Sequence, residues 1–278
     1  MATWQSKKYV IQYQTEVKQM IDIQKAKEVL NQYIQNYDDT NGRIKIKKIH
    51  IFHVAENAKQ IAQSLKLTEE DCKLAELIGL LHDIGRFEQV KRYHTFADKD
   101  SIDHATLGLE ILFEEGVLRQ FLTETTYDKI IYLAIQNHNK KEIAKEIEGK
   151  ALLYCQIIRD ADKLDIYEIL STQKIKDAVW FPADNLEKQE ITDIVYQDFI
   201  QHRKMDYKDI KTNIDCLAAW MGYIYDIYFP YSFARIKQKQ YTNTIINRID
   251  YQNEETKQRI EEMRKVANTY LEEKIREK

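Results

Sequence analysis

The chain is poor in the residues that make turns. It has seven glycines and two prolines in 278 residues. An all-β or α/β fold of this length needs many more, because tight turns depend on those side chains. Cysteine is equally scarce: Cys72, Cys155 and Cys216 stand far apart, odd in number and without a C-x-x-C pair. That excludes a disulfide scaffold and a thiolate metal site, and leaves cysteine as a small apolar core residue in a reducing compartment. No uninterrupted apolar run approaches the ~18 residues of a membrane span. The opening Met-Ala-Thr-Trp-Gln-Ser-Lys-Lys lacks the apolar centre of a signal peptide. Excess charge is missing too. Lysine and arginine total 42 against 45 acids, a formal net charge of −3, with no basic face or tail that would mark a nucleic-acid binder. The expectation is a cytoplasmic protein with no membrane and no nucleic-acid partner. Repeats, low-complexity tracts and flexible linkers are also lacking. The reading is one domain, 1–278, with its core at about 45–170 and a peripheral helical part at about 180–278.

What is abundant is Lys, Glu, Gln, Ile, Leu and Ala, most of which tolerate or favour helix, so the fold class is all-α. Helical periodicity runs from about Trp4 to Tyr37, followed by a turn at 38–42. It resumes from about Ile46, with Ile51, Val54, Ala58, Ile61 and Leu65 on one stripe. Thr68 to Asp71 resembles a capping box and starts a helix that Gly85 is expected to end. Residues 93–102 read as a loop, and a helix is predicted from about Asp103 to Glu115. Thr125 to Asp128 caps another to about Asn139, and Gly149 opens one reaching about Ile169. The pattern breaks at 180–184, resumes at 186–202 and 207–228, and is interrupted by Pro230. The amphipathic stretch from Tyr251 to Lys278 packs on the body or on a second subunit of a homo-oligomer.

Five polar positions stand out against this background. His50 precedes Val54 by four residues, and His82 follows Ile78 by four. His104 lies four before Gly108, His138 four after Ala134, and Asp162 four after Ile158. Residues three and four apart share a helix face, so each belongs to the buried stripe of its own helix. Chargeable groups gathered in one core are costly unless paired or metal-bound. Imidazole and carboxylate suit divalent transition metals. Any one of them alone reads as an ordinary hydrogen-bonded core residue. Their joint register points to a shared metal site with the His82–Asp83 pair at its centre. Asp160 lies about 200° around its helix from Asp162 and faces away. Asp165 shares the face of Asp162 and is either the alternative ligand or a residue behind it. His53 is second to His50 or exposed, His94 sits in the polar loop, and His202 is expected at the surface.

The arrangement resembles the HD-domain superfamily of metal-dependent phosphohydrolases, over about residues 45–170. The central motif is similar to Leu80-Leu-His-Asp-Ile-Gly-Arg-Phe87, and the closing motif to Arg159-Asp-Ala-Asp-Lys-Leu-Asp165. The resemblance implies His50, His82, Asp83 and Asp162 as metal ligands. The added pair His104 and His138 implies the dinuclear subclass, with Asp83 bridging two ions drawn from Fe, Mn, Co, Ni or Zn, Mg being admitted. Met221-Gly-Tyr-Ile does not match the extension found in cyclic-di-GMP phosphodiesterases. The implied activity is hydrolysis of a phosphoester or phosphoanhydride in a nucleotide or other small phosphorylated metabolite. Asp83 and Arg86 would be catalytic, and Arg86, Lys163 and His94 would bind substrate. The planar fork of Arg86 suits phosphate, although an exposed cation at a helix end is an ordinary role for it. For Lys163 the ordinary role is solvent exposure. Two alternatives stay open: a di-iron oxygenase of the same fold, which shares the six-ligand set, and a non-catalytic metal-stabilised nucleotide sensor. Trp180, Phe181 and Tyr231 are candidates for stacking on a base, with core packing as their ordinary role.

Overall fold

The computed structural model describes residues 21–37, 42–179 and 183–277. It is all-α, with no strand among the described residues. The first twenty residues, most of the turn at 38–42, and Trp180 and Phe181 lie outside the described residues. No helix among those described is long and apolar enough to cross a membrane.

The N-terminal half supplies α1 (Ile23–Ile34), α2 (Gly42–Ser64), α3 (Glu69–Leu81), α4 (Ile84–Tyr93), α5 (His104–Leu109), α6 (Leu118–Phe121), α7 (Asp128–Asn137) and α8 (Gly149–Thr172). The core pairs α2 with α3, packs α8 against both, and lays α7 along α8 and α4 across α5. The predicted stripe of α2 is buried at Ile51, Val54, Ala58 and Ile61, where 0% of each residue is exposed. Glycine makes the closest of these crossings possible. A Cβ on Gly79 of α3 would lie 2.5 Å from the Cα of Ala55 in α2.

Local chemistry corrects several boundaries. Thr68 does cap α3, accepting from the amide of Asp71, and the Asp71 carboxylate accepts from the Thr68 hydroxyl rather than its amide, and also meets Lys150 and Tyr154. The reciprocal pair occurs at Thr212 and Asp215, ahead of α11 (Asn213–Met221). Gly85 does not end a helix. The chain breaks at His82–Asp83 and restarts at Ile84, so Gly85 lies inside α4. The run expected from Asp103 to Glu115 changes from α-helix to a π-helical turn at Glu110–Glu114. Thr125 makes no side-chain cap, and α7 starts after Tyr127.

Beyond α8 come α9 (Ile175–Ala178), α10 (Asp193–Ile200), α11, α12 (Pro230–Gln238), α13 (Tyr241–Ile246) and α14 (Glu254–Arg276). The stretch 186–202 divides into a short 3-10 turn and a shorter helix, and 207–228 into two 3-10 turns flanking a shorter helix. Pro230 starts α12 rather than interrupting a helix, because its missing amide hydrogen and fixed φ suit the first helical position. α14 buries Ile260, Met263, Ala267 and Leu271 against α10, α12 and α13, so its apolar face is used within the chain.

Candidate metal centre

The break between α3 and α4 carries the centre. His82 closes α3 and Asp83 precedes α4, which lets adjacent side chains turn into the core from a rigid junction. His50 comes from the middle of α2, His104 from the first residue of α5, His138 from the end of α7, and Asp162 from α8. The four imidazoles are 4% exposed or less, and Asp83 is 2% exposed. The Asp162 side chain is 18% exposed and forms the open edge.

Each imidazole is held by its Nδ1. His82 Nδ1 lies 2.8 Å from the Gly79 carbonyl oxygen and His138 Nδ1 2.7 Å from that of Ile135. His104 Nδ1 meets Asp98 Oδ2 at 2.7 Å, and His50 Nδ1 meets Asp165 Oδ2 at 2.6 Å. An Nδ1–H donated to these acceptors leaves the Nε2 lone pair facing inward, which is how metal-ligating histidines are oriented. The inward atoms form two groups, His50, His82 and Asp162 in one, and Asp83, His104 and His138 in the other. Asp83 faces both. Its Oδ2 is 3.5 Å from His50 Nε2 and 3.6 Å from His82 Nε2. Its Oδ1 is 3.3 Å from His104 Nε2 and 3.8 Å from His138 Nε2. Asp162 Oδ1 lies 3.1 Å from His50 Nε2.

The donors fit bound cations. His50 Nε2, His82 Nε2 and Asp83 Oδ1 are buried with no hydrogen-bond partner, a cost a native core rarely leaves uncompensated. The Nε2 atoms of His104 and His138 face each other at 3.0 Å, and two lone pairs repel unless a proton or cation lies between them. Electrostatics agree. Burial and the nearby Lys47 ammonium oppose a proton on His50, yet the adjacent carboxylates of Asp162, Asp165 and Asp83 outweigh both and raise its pKa to about 10. Burial drives His82 down to about 3, and burial with Arg86 drives His104 to about 4. Burial also opposes charge on Asp83, but Lys47 and the surrounding imidazoles hold its carboxyl well below the usual range.

Several residues of the site were not singled out in the sequence. Lys47, one turn before His50 on α2, places its Nζ 2.5 Å from Asp83 Oδ2. Asp98 orients His104 and also pairs with Arg86 Nη1 at 2.7 Å. Arg159 is 2% exposed and donates to the carbonyl oxygens of Asn137, Lys140 and Lys141, fixing the turn that carries His138. The i+3 spacing of Lys47 and His50 was the only local signal among these.

The remaining sequence candidates divide. Asp165 bonds both His50 and His53 and stands behind the ligands. Asp160 faces away and accepts from the amides of Tyr228 and Phe229. Arg86 lies beside the centre. Its Nη1 is taken by Gln89, Phe96 and Asp98, while its Nε is buried without a hydrogen bond, 3.7 Å from Asp83 Oδ1. Lys163 is buried rather than solvated, and its Nζ meets Asp226 at 2.9 Å and the Arg159 carbonyl at 3.4 Å. His94 caps α4 in the left-handed region and forms no bond to a ligand residue. His202 lies against Tyr225 and Tyr270. Tyr231 bonds Gln60.

Residues 48–167 match the family model described as HD domain. No curated protein and no solved structure gives a match. The matched span contains all six converging ligand candidates and the Asp165 behind them. This match identifies residues 48–167 as an HD domain.

Proposed function

We propose that the chain is a dinuclear metal-dependent phosphohydrolase acting on a nucleotide or other small phosphorylated metabolite. The observation that carries this reading is Asp83, whose two oxygens each face a different set of imidazoles. One ion would be held by His50, His82, Asp162 and Asp83, the second by His104, His138 and Asp83. Such a pair supplies Lewis acidity toward phosphoryl oxygens and an acidified water.

The chain's own groups do the rest. Arg86 carries a fixed cation beside the centre. Its second terminal nitrogen has no acceptor among the described residues, which leaves it to a phosphoryl oxygen. Lys47 is 26% exposed and can move from Asp83 to an incoming anion. Lys163 has two of its three N–H groups committed and one remaining beside Asp162. Asp83 orients the attacking water or accepts its proton. Asp165 and Asp98 keep His50 and His104 in the tautomer that presents Nε2.

The test is phosphate or pyrophosphate release from a panel of nucleotides by purified protein supplied with Mn²⁺, Co²⁺ or Fe²⁺. His82→Ala and Asp83→Ala are expected to abolish release. Activity that survives both substitutions rules this site out as the catalyst.

A further inference from the structure

The two halves of the centre are carried differently. His50 and Asp162 sit inside the long helices α2 and α8, and His82 closes α3, which packs against both. His104 opens a helix of six residues, and His138 lies just past the end of α7. Neither sits inside a long helix, yet their Nε2 atoms meet at 3.0 Å across 34 positions of sequence. Holding them there requires a tie between the two stretches of backbone.

The residues that flank these ligands are bonded to each other. Asp103 precedes His104, and Asn139 and Lys140 follow His138. The Asp103 carboxylate divides its work. Oδ1 accepts from the Thr106 amide at 2.9 Å, the ordinary bond of a residue that starts a helix. Oδ2 accepts from Asn139 Nδ2 at 3.0 Å and from Lys140 Nζ at 2.7 Å. Asn139 Nδ2 also comes within 3.5 Å of His104 Nδ1, so the tie runs beside the ligand ring itself. From the far side, Arg159 grips the same turn through the carbonyl oxygens of Asn137 and Lys140, at 2.8 and 2.5 Å. The Asp103 and Lys140 side chains are 32% and 42% exposed, and an ion pair so open to water adds little to stability. Capping uses one oxygen alone. The other joins the start of α5 to the end of α7.

Resting on the dinuclear reading above, we infer that Asp103 is a positioning residue for the second ion, and that its bonds to Asn139 and Lys140 set the spacing of His104 and His138. The ligands of the first ion lie on other elements and do not use this tie. Breaking it should empty one metal position and leave the other filled.

The experiment reads metal rather than turnover. Metal-free full-length chain is titrated with Mn²⁺. Bound ions are counted by equilibrium dialysis, and their pairing is followed by electron paramagnetic resonance, since adjacent Mn²⁺ ions couple and isolated ones do not. Asp103→Asn separates the two duties. Asparagine caps a helix as well as aspartate does. Its single oxygen is then used, and an amide NH₂ faces the Asn139 and Lys140 donors. The first ion should bind as in the native chain, and the second about 10- to 100-fold more weakly, with loss of the coupled signal. Asn139→Ala combined with Lys140→Ala cuts the tie from the other side, leaves the α5 cap intact and should do the same. Adding Asp103→Asn to that pair should cost little more, because all three changes remove one tie. Native affinity for the second ion in either variant, or equal weakening of both ions, overturns the inference alone. A native chain that takes up one ion overturns the dinuclear reading and the role of Asp103 with it. Phosphate release is read on the same samples, and a paired, Asp103-dependent site without turnover sinks the hydrolase reading while supporting the tie.

Discussion

Gly85→Ala isolates one half of the metal centre. A Cβ on Gly85 would lie 2.3 Å from the carbonyl oxygen of His104 and 2.6 Å from the amide nitrogen of Gly108. Both obstacles are backbone of α5, so no side-chain rotation relieves them. Restoring ordinary contact requires α4 and α5 to separate by about 1 Å. The His104 ring moves with its backbone, away from Asp83 Oδ1, from which its Nε2 now stands at 3.3 Å. Overpacking of this kind costs about 1–3 kcal/mol. The expected outcome is a lower thermal midpoint together with a fall from two bound ions to one, counted by elemental analysis after gel filtration. Gly79→Ala makes the companion test. Its Cβ would meet the backbone of Ala55 at 2.5 Å and push on α2, which carries His50, so it should weaken the other ion instead. A Gly85→Ala protein that keeps two ions with native affinity would refute the claim that the α4–α5 approach sets the geometry of His104.

Metal-free protein should be most stable near pH 6.5. The folded pKa values of His82 and His104, about 3 and about 4, lie below the unfolded 6.5, so acid protonates the unfolded chain first and stability falls from pH 6.5 toward about 4, by up to about 1.4 kcal/mol per unit for each. His50 has the opposite sign, and its contribution is lost as pH rises from 6.5 through about 10. Thermal midpoints recorded across pH 4.5–9 check this, and a midpoint that keeps rising on acidification below pH 6.5 contradicts it. Metal binding at neutral pH should displace the His50 proton, visible in calorimetry as an enthalpy that tracks the ionisation enthalpy of the buffer. Asp165→Asn removes the charged acceptor behind His50 and should lower metal affinity about 10- to 100-fold with little change in fold, measured by competition with a chelating dye. Arg159→Met leaves the Asp226 carboxylate in the interior without its guanidinium partner and the 137–141 carbonyls unsatisfied. Lys163 and Lys204 still pair with Asp226, so a loss of about 1–3 kcal/mol in urea unfolding is expected from the unsatisfied carbonyls, and no loss would show that the network is dispensable.

The parts of this molecule legible in the sequence are those governed by local spacing. His50, His82, His104, His138 and Asp162 each lie a turn from an apolar partner on their own helix, and three- and four-residue spacing alone suffices to face them inward. The stripe of α14 was readable for the same reason. What escaped depends on partners brought together by tertiary packing. Lys47 drew no notice, since nothing nearby in sequence reveals that it meets Asp83. Arg159 stood inside a recognised motif, yet its acceptors belong to the turn after α7 and to Asp226. Glycine and proline misled through their usual meanings. Gly85 serves a close helix crossing rather than a helix end, and Pro230 opens a helix rather than breaking one. The long periodic stretches at 186–202 and 207–228 carried too little propensity to say where each helix would give way to a 3-10 turn.

The two charged residues at the start of the closing motif have a practical consequence. Arg159 and Asp160 turn away from the metals and into the C-terminal half, where Asp160 holds the amides ahead of α12 and Arg159 holds Asp226. Cutting the chain where the family match ends would leave Asp160 without the amides it holds and Arg159 without its counter-charge Asp226. The boundary seen by comparison is thus not a seam along which the molecule can be divided. Grafting residues 48–167 onto another protein would carry the ligands across and leave behind the counter-charges that let α8 lie against them.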